Sequence, residues 1–118
     1  MDRRVAMTLA LLTDEWRKEH RLADLAAAVN LAPSRLQHLF KDAVAMSIGQ
    51  HLRNRRLREA ARLLASTHER ISEIAYYVGF RDVPNFNHAF RREFGVSPRE
   101  YRRKTEDAPL SKAGITKS

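Results

Sequence analysis

The chain has 118 residues, a formal net charge of +8, a pI near 10.6 and no cysteine. This length suits one compact domain. Without cysteines, disulfides, thiolate nucleophiles and cysteine-ligated zinc are excluded, and a reducing cytoplasm is the expected location. The positive charge favours a polyanionic partner, which is DNA, RNA or an anionic membrane surface. No apolar run is long enough to cross a bilayer, so we expect no membrane segment and no signal peptide.

The basic residues are unevenly distributed along the chain. Residues 1–52 hold seven Lys/Arg and six Asp/Glu, whereas residues 53–104 hold thirteen and six. The excess lies in the middle and second half rather than in a cationic tail, which predicts a folded basic surface.

Apolar residues recur at helical spacing along most of the chain, and no segment shows the alternation of a strand. The sequence therefore predicts an all-α fold of about seven helices. In chain order these cover residues 3–19, 22–29, 33–43, 47–66, 71–78, 83–94 and 98–104. Two helix starts carry a capping-box pattern, Ser47 with Gln50 and Ser97 with Glu100. Residues 105–118 show no periodic apolar face, so we expect a disordered tail there.

The chain contains an internal duplication. At an offset of 49 residues the stretch 22–31 aligns with 71–80, and at an offset of 50 the stretch 36–47 aligns with 86–97. Each copy predicts a short helix, a turn and a longer helix, which together form a helix-turn-helix unit. We therefore divide the chain into a first helix-turn-helix subdomain (3–46), a linker helix (47–66), a second helix-turn-helix subdomain (67–104) and the tail (105–118).

The turn of each unit requires one residue with a left-handed backbone. Gly79 adopts that conformation without strain, and Asn30 is one of the few other residue types that tolerate it. Ala26 and Ala75 lie near the middle of each first helix, where we expect a small side chain to let the second helix cross closely.

The second helix of such a unit enters the major groove, so its outward face must carry groups that read base edges. The apolar residues of these helices are Leu36, Leu39, Phe40, Val44, Phe86, Ala89, Phe90 and Phe94, and they fall on one face. The opposite face carries Ser34, Arg35, Gln37, His38, Lys41, Asn85, Asn87, His88, Arg91 and Arg92. Asn and Gln pair with adenine and Arg pairs with guanine. Our first candidates for base reading are Gln37, His38, Asn85 and His88.

The linker helix would be about 30 Å long, which is close to the ~34 Å repeat of the major groove. We expect it to set the two reading helices on adjacent turns of one DNA face. Arginines on this helix and basic residues beside the readers are candidates for contacts with phosphate. They are Lys41, Arg53, Arg55, Arg56, Arg91, Arg92 and Arg102.

The second copy resembles the signature of AraC/XylS-type transcriptional regulators. The residues that carry this resemblance are Ile74-Ala75, Val78-Gly79-Phe80, Phe86, Phe90, Phe94-Gly95-Val96-Ser97-Pro98 and Tyr101-Arg102. Pro33-Ser34-Arg35-Leu36 with Phe40-Lys41 resembles the first unit of the same family. The resemblance covers about residues 3–104.

The resemblance implies a transcription factor, usually an activator, that binds double-stranded DNA without a cofactor and has RNA polymerase as a further partner. The base-reading positions it implies are Ser34, Gln37, His38, Pro84, Asn85, Asn87 and His88. Members of the family commonly carry a separate sensing or dimerisation domain, and no such domain fits in these 118 residues. We therefore expect that the chain either acts alone or is a fragment.

The first copy departs from the family pattern at two positions. Ala32 stands where a capping Ser is frequent, and Ala45 stands where a Gly is usual. In the second copy, Pro84 stands where a polar reader can occur. Because the first half of the chain also carries less positive charge, we expect the second unit to contribute more of the affinity.

Other classes of protein share parts of this pattern. A helical protein-interaction module that has lost DNA binding would have the same fold, but it would not need so many outward Gln, Asn, His and Arg residues. An RNA-binding domain would expose stacking aromatics, whereas Phe86, Phe90 and Phe94 have the spacing of a buried face. We expect no catalysis because the sequence holds no phosphate loop, nucleophile elbow or carboxylate pair. We expect no metal because His38 and His88 lie in separate copies.

Overall fold

The computed structural model describes residues 1–107, which form seven α-helices and no strand. The helices are α1 (Arg3–Asp14), α2 (Leu22–Ala28), α3 (Pro33–Val44), α4 (Ile48–Ser66), α5 (Ile71–Tyr77), α6 (Val83–Phe94) and α7 (Pro98–Asp107). The predicted all-α fold class is thereby confirmed. None of these helices combines the length and the apolar composition needed to cross a membrane.

Helix α1 ends five residues before its predicted end at residue 19, and side chains bind the backbone carbonyls of the segment that follows it. The ring of His20 lies 2.7 Å from the carbonyl oxygen of Glu15. The Arg56 guanidinium donates to the carbonyls of Trp16 and Lys18 at 3.0 and 2.9 Å. The segment after Asp14 is therefore held as an irregular turn by side chains rather than by a helical ladder.

Helix α7 continues to Asp107, three residues beyond its predicted end. The hydroxyl of Thr105 donates to the carbonyl of Tyr101 at 2.9 Å, within the last turns of the helix. The predicted disordered tail is therefore wrong for residues 105–107, and its remainder, residues 108–118, lies outside the described residues.

The chain divides into two compact units, Met1–Arg56 and a second that begins at Leu57. The boundary falls inside α4, whose first half packs against the first core through Ile48 and Leu52. The fully buried residues of α4 all lie in its second half and belong to the second unit; they are Leu57, Ala60, Ala61 and Leu64.

The core of the first unit is built from one face of each of α1, α2 and α3. Its buried residues are Val5, Leu12, Leu25, Ala26, Val29, Leu36 and Phe40. Each of the large apolar side chains contributes roughly 1.5–3 kcal/mol by leaving water. The one buried polar residue in this core is Thr8, whose hydroxyl donates to the carbonyl of Arg4 at 2.9 Å, so its burial leaves no unpaired group.

Aromatic rings dominate the core of the second unit. Phe86 and Phe90 are fully buried, with their ring centroids 5.7 Å apart. Phe80 packs edge-on against Phe86 at 5.3 Å, and Tyr101 of α7 packs edge-on against Phe90 at 5.4 Å. The prediction of a buried face is confirmed for Phe86 and Phe90, while Phe94 is half-buried with its ring centroid 4.5 Å from that of Phe90.

The two helix-turn-helix turns share a left-handed residue and a backbone hydrogen bond. Asn30 and Gly79 are left-handed, with φ of 58° and 107°. One residue later, a backbone N–H donates back to the central alanine of the first helix, from Leu31 to Ala26 and from Phe80 to Ala75, each at 3.0 Å. Both alanines are buried. The predicted turn residues are therefore confirmed in both copies.

Candidate nucleic-acid interface

Helices α3 and α6 bury equivalent faces and expose equivalent faces. Leu36 and Phe40 in α3 correspond to Phe86 and Phe90 in α6, and all four are fully buried. The predicted base readers are all exposed on these two helices: Ser34, Arg35, Gln37, His38, Pro84, Asn85, Asn87 and His88. Within the described part of the chain no group of three or more His, Asp or Glu side chains could hold a metal ion.

The two recognition helices start differently. Asp82 caps α6, because its Oδ1 accepts the backbone N–H of Asn85 at 2.7 Å. The corresponding residue before α3 is Ala32, which supplies no side-chain bond. A capping side chain stabilises a helix by about 1 kcal/mol, so α3 lacks a contribution that α6 has.

The recognition helices also end differently. Each ends in a left-handed residue whose N–H closes the last turn, Ala45 to the carbonyl of Lys41 at 2.9 Å and Gly95 to that of Arg91 at 2.8 Å. Glycine adopts this conformation at no steric cost, whereas alanine at φ 67° is strained.

Asp42 lies beside His38 on the exposed face of α3, and sequence reasoning did not include it among the site residues. Its Oδ2 is 3.5 Å from Nε2 of His38. The spacing of four residues on one helix is the signal that could have found this pair. The equivalent of Asp42 in the second copy is Arg92. The two equivalent histidines therefore have neighbours of opposite charge.

Lys41, Arg53, Arg91 and Arg92, all predicted to contact phosphate, are exposed. Nη1 of Arg53 donates to the side-chain oxygen of Gln50 at 3.3 Å, which orients the guanidinium. Nη2 of Arg91 lies 3.8 Å from Oε1 of Glu100, a loose pair that a phosphate can replace.

Arg55 and Arg56, two other predicted phosphate ligands, bind the irregular segment after α1. Arg55 lies over the ring of Trp16, 5.1 Å from its centroid, in a cation–π contact. Arg56 donates Nε to the carbonyl of Trp16 and Nη2 to that of Lys18, and burial lowers the pKa of its guanidinium. These contacts give both side chains a structural role, and their contact with phosphate stays a prediction.

In the second unit, Arg102 also donates its guanidinium hydrogen bonds to backbone carbonyls. From α7 its Nε donates to the carbonyl of Leu64 at 3.1 Å and its Nη2 to that of Thr67 at 3.2 Å, at the end of α4. Carbonyls at a helix end have no partner within the helix, so Arg102 caps α4. Its predicted contact with phosphate is likewise untested.

The capping box is complete before α7 and half formed before α4. The Ser97 hydroxyl accepts the N–H of Glu100 at 3.1 Å, while Oε1 of Glu100 accepts the N–H of Ser97 at 3.0 Å. This second bond holds the pKa of Glu100 below its ordinary value. The Ser47 hydroxyl accepts the N–H of Gln50 at 3.1 Å, but the side-chain amide of Gln50 donates to Asn54 at 2.7 Å instead of folding back.

With the boundary between the two units at Arg56, the basic residues divide between them differently from the division at residue 52. Residues 1–56 hold ten Lys/Arg and six Asp/Glu, and residues 57–107 hold ten and eight. The arginines at the start of α4 belong to the first unit, so the second unit is not the more basic one. The distribution of charge therefore no longer supports the expectation that the second unit contributes more of the affinity for DNA.

Two helix-turn-helix units with exposed amide, imidazole and guanidinium groups on the second helix of each define a DNA-binding domain. A family model described as a helix-turn-helix domain matches residues 25–104. The transcriptional activator RhaR of Yersinia pseudotuberculosis is 38% identical over 89 residues, which cover 75% of this chain and 31% of RhaR. The chain belongs to the AraC/XylS-type family of helix-turn-helix transcriptional regulators.

Solved structures agree with this assignment. The C-terminal domain of AraT, a response regulator from Geobacillus stearothermophilus, has a TM-score of 0.81 and 31% identity, covering 87% of this chain and 86% of that domain. The DNA-binding domain of AdpA, solved with a target DNA, shares the fold with a TM-score of 0.80 and 24% identity, covering 90% of this chain and 97% of that domain. The chain spans about a third of the length of the curated relatives it matches.

Proposed function

We propose that this domain recognises an asymmetric site on double-stranded DNA, with α3 and α6 each entering its own segment of the major groove. The observation that carries the proposal is that both helices have one buried face and one exposed polar face. In both, one face is fully buried through Leu36 and Phe40 or Phe86 and Phe90, and the other exposes hydrogen-bonding side chains. Because the two copies expose different side chains, the two half-sites should differ in sequence.

The base contacts follow from the chemistry of the exposed groups. Gln37, Asn85 and Asn87 can each make paired hydrogen bonds to adenine, and Arg35 can pair with guanine. His38 and His88 can donate to a guanine acceptor, while Ser34 and Pro84 lie in the first turns of their helices, where contacts are made by van der Waals packing or single hydrogen bonds.

The phosphate contacts should come first from Lys41, Arg53, Arg91 and Arg92, since these side chains are exposed. Such contacts add affinity and salt dependence without sequence information. We further propose that the two groove segments lie on adjacent turns of the DNA.

We further propose that the protein activates transcription in the cytoplasm, with RNA polymerase as the partner. The name of RhaR as an activator supports this direction of regulation. A reporter gene behind the selected site, assayed with and without the protein, gives the sign directly.

The decisive experiment is selection of bound sequences from a pool of random duplexes, followed by footprinting of the protein on the selected duplex. We expect two protected major-groove segments about one helical turn apart and affinity that falls steeply with salt. Double alanine variants at Gln37/His38 and at Asn85/His88 should each relax the preference at one half-site only, with a loss of about 1–3 kcal/mol per base contact.

A matched control replaces Glu69 and Arg70, which are exposed and lie outside both recognition helices, with alanine. This variant should keep the selected sequence and its footprint. Binding that does not depend on sequence, or that does not depend on salt, would overturn the proposal. A chain that binds no duplex at all would instead be a protein-interaction module with this fold.

A further inference from the structure

The first unit contains a cleft beside its recognition helix. It has a volume of about 540 Å³, within the range of small-molecule sites, and lies between α2, α3 and the start of α4. Leu22, Ile48 and Leu52 form its apolar wall, and Gln37 and Lys41 of α3 form its polar rim. Apolar wall and cationic rim on one cleft suit an amphipathic ligand.

Lys41 has no acidic partner among the described residues. Its counterpart in the second copy is Arg91, which lies 3.8 Å from Glu100. The residue that corresponds to Glu100 is Gln50, a neutral amide bonded to Asn54 and Arg53. The first copy therefore retains an uncompensated cation where the second copy has an ion pair.

Two further departures from the duplication make this cleft open and apolar. Gly49 has no atom within 4 Å of the position its Cβ would take, and the corresponding residue in the second copy is Arg99. Leu52 corresponds to Arg102, whose guanidinium is bound to the carbonyls at the end of α4. The combination of an empty glycine surface, a leucine wall and an unpaired lysine is specific to the first unit.

We propose that this cleft binds an organic anion made of a carboxylate and an aliphatic chain. The chain would lie on Leu22, Ile48 and Leu52, and the carboxylate would accept hydrogen bonds from Lys41. Such a ligand occupies the side of α3 that carries Gln37 and Lys41. On the basis of the proposed function, which places these two residues on DNA, the ligand and the duplex compete.

Calorimetric titration of the full chain with decanoate tests the site without DNA. We expect saturable binding, with a shift of the Gly49 amide in an NMR spectrum that locates it. Lys41→Gln should weaken decanoate roughly tenfold, the value of one charge-assisted hydrogen bond, while leaving decanol unaffected. Binding of inorganic phosphate as tightly as decanoate, or equal binding by wild type and Lys41→Gln, overturns the proposal.

Filling the cleft provides a second, independent variant. Gly49→Leu lies in the exposed first turn of α4 and should abolish binding of both decanoate and decanol, with thermal unfolding checking that the fold is kept. Arg99→Leu makes the matching change in the second unit and should leave decanoate binding unchanged. Unaltered binding by a folded Gly49→Leu chain contradicts the location.

Competition is tested on the selected duplex. Decanoate should release that duplex from the wild-type chain, but not from Gly49→Leu. If decanoate binds at the cleft but does not release the duplex, the proposed competition is wrong and the proposed binding site still stands. A chain that binds no duplex in the absence of decanoate would count against the proposed function alone, because the calorimetric titration contains no DNA.

Discussion

Ala45 ends α3 with a left-handed backbone at φ 67°, the same role that Gly95 has at the end of α6 with φ 80°. Because an L-residue is disfavoured in this conformation, Ala45→Gly should raise the free energy of unfolding by about 1 kcal/mol. Gly95→Ala should lower it by a similar amount, since no atom lies within 4 Å of the added Cβ and strain alone acts. Urea unfolding of both variants measures the two changes, and changes of equal sign would contradict this account.

We expect Arg102 and Arg92, in the same unit, to have different roles, Arg102 in stabilising the fold and Arg92 in binding phosphate. Arg102→Ala removes two hydrogen bonds to the end of α4 and should lower the free energy of unfolding by about 1–3 kcal/mol, with little effect on the salt dependence of DNA affinity. Arg92→Ala should leave stability unchanged and reduce the salt slope by about 0.9. Thermal unfolding and salt titrations of binding give both quantities. A reduced salt slope for Arg102→Ala would show that Arg102 contacts phosphate after all.

At the scale of one element, the capping box of α7 makes the helix sensitive to acid. The pKa of Glu100 is lowered because its carboxylate accepts the Ser97 N–H. A lowered pKa stabilises the fold fully above the unfolded value of about 4.3 and loses this contribution as the pH falls through the folded value. We expect Glu100→Gln to melt below wild type at neutral pH. The two melting temperatures should converge as the pH falls below about 4.3 and through the lowered folded pKa.

The control for this prediction is Glu93→Gln, which changes an exposed carboxylate of α6 that caps no helix start in the part of the chain that the structure describes. Its melting temperature should follow that of wild type from pH 7 to pH 3. Convergence of the Glu93 variant with wild type only at acid pH would show that general charge, rather than the cap of α7, causes the effect.

The sequence predicted most of the fold because local patterns determine most of it. The buried faces of α3 and α6 and the turns at Asn30 and Gly79 follow from spacing and duplication alone. The end of α1 does not, because Arg56, about forty positions away, binds the carbonyls after it. Of the site, exposure of the readers could be predicted, whereas the engagement of Arg56 and Arg102 depends on contacts that no local pattern contains.

At the scale of the whole molecule, the two units differ at the ends of their recognition helices. The first recognition helix lacks a capping side chain at Ala32 and carries strain at Ala45, each worth about 1 kcal/mol. Combining Ala32→Ser with Ala45→Gly should slow amide exchange in α3 by up to about thirtyfold, since 1.4 kcal/mol is a factor of ten. Exchange in α6, measured in the same spectra, should stay as in wild type; faster exchange in α3 would contradict the prediction.

Helix α4 belongs half to each unit, and this sharing limits how the molecule can be cut. The first unit needs Ile48, Leu52 and Arg56, and the second needs Leu57 and Leu64. A protease or a cloning boundary placed at residue 57 would therefore deprive both pieces of a helix long enough to persist. Fragments intended to fold alone must overlap, 1–66 and 48–107, so that the same nineteen residues are present in both.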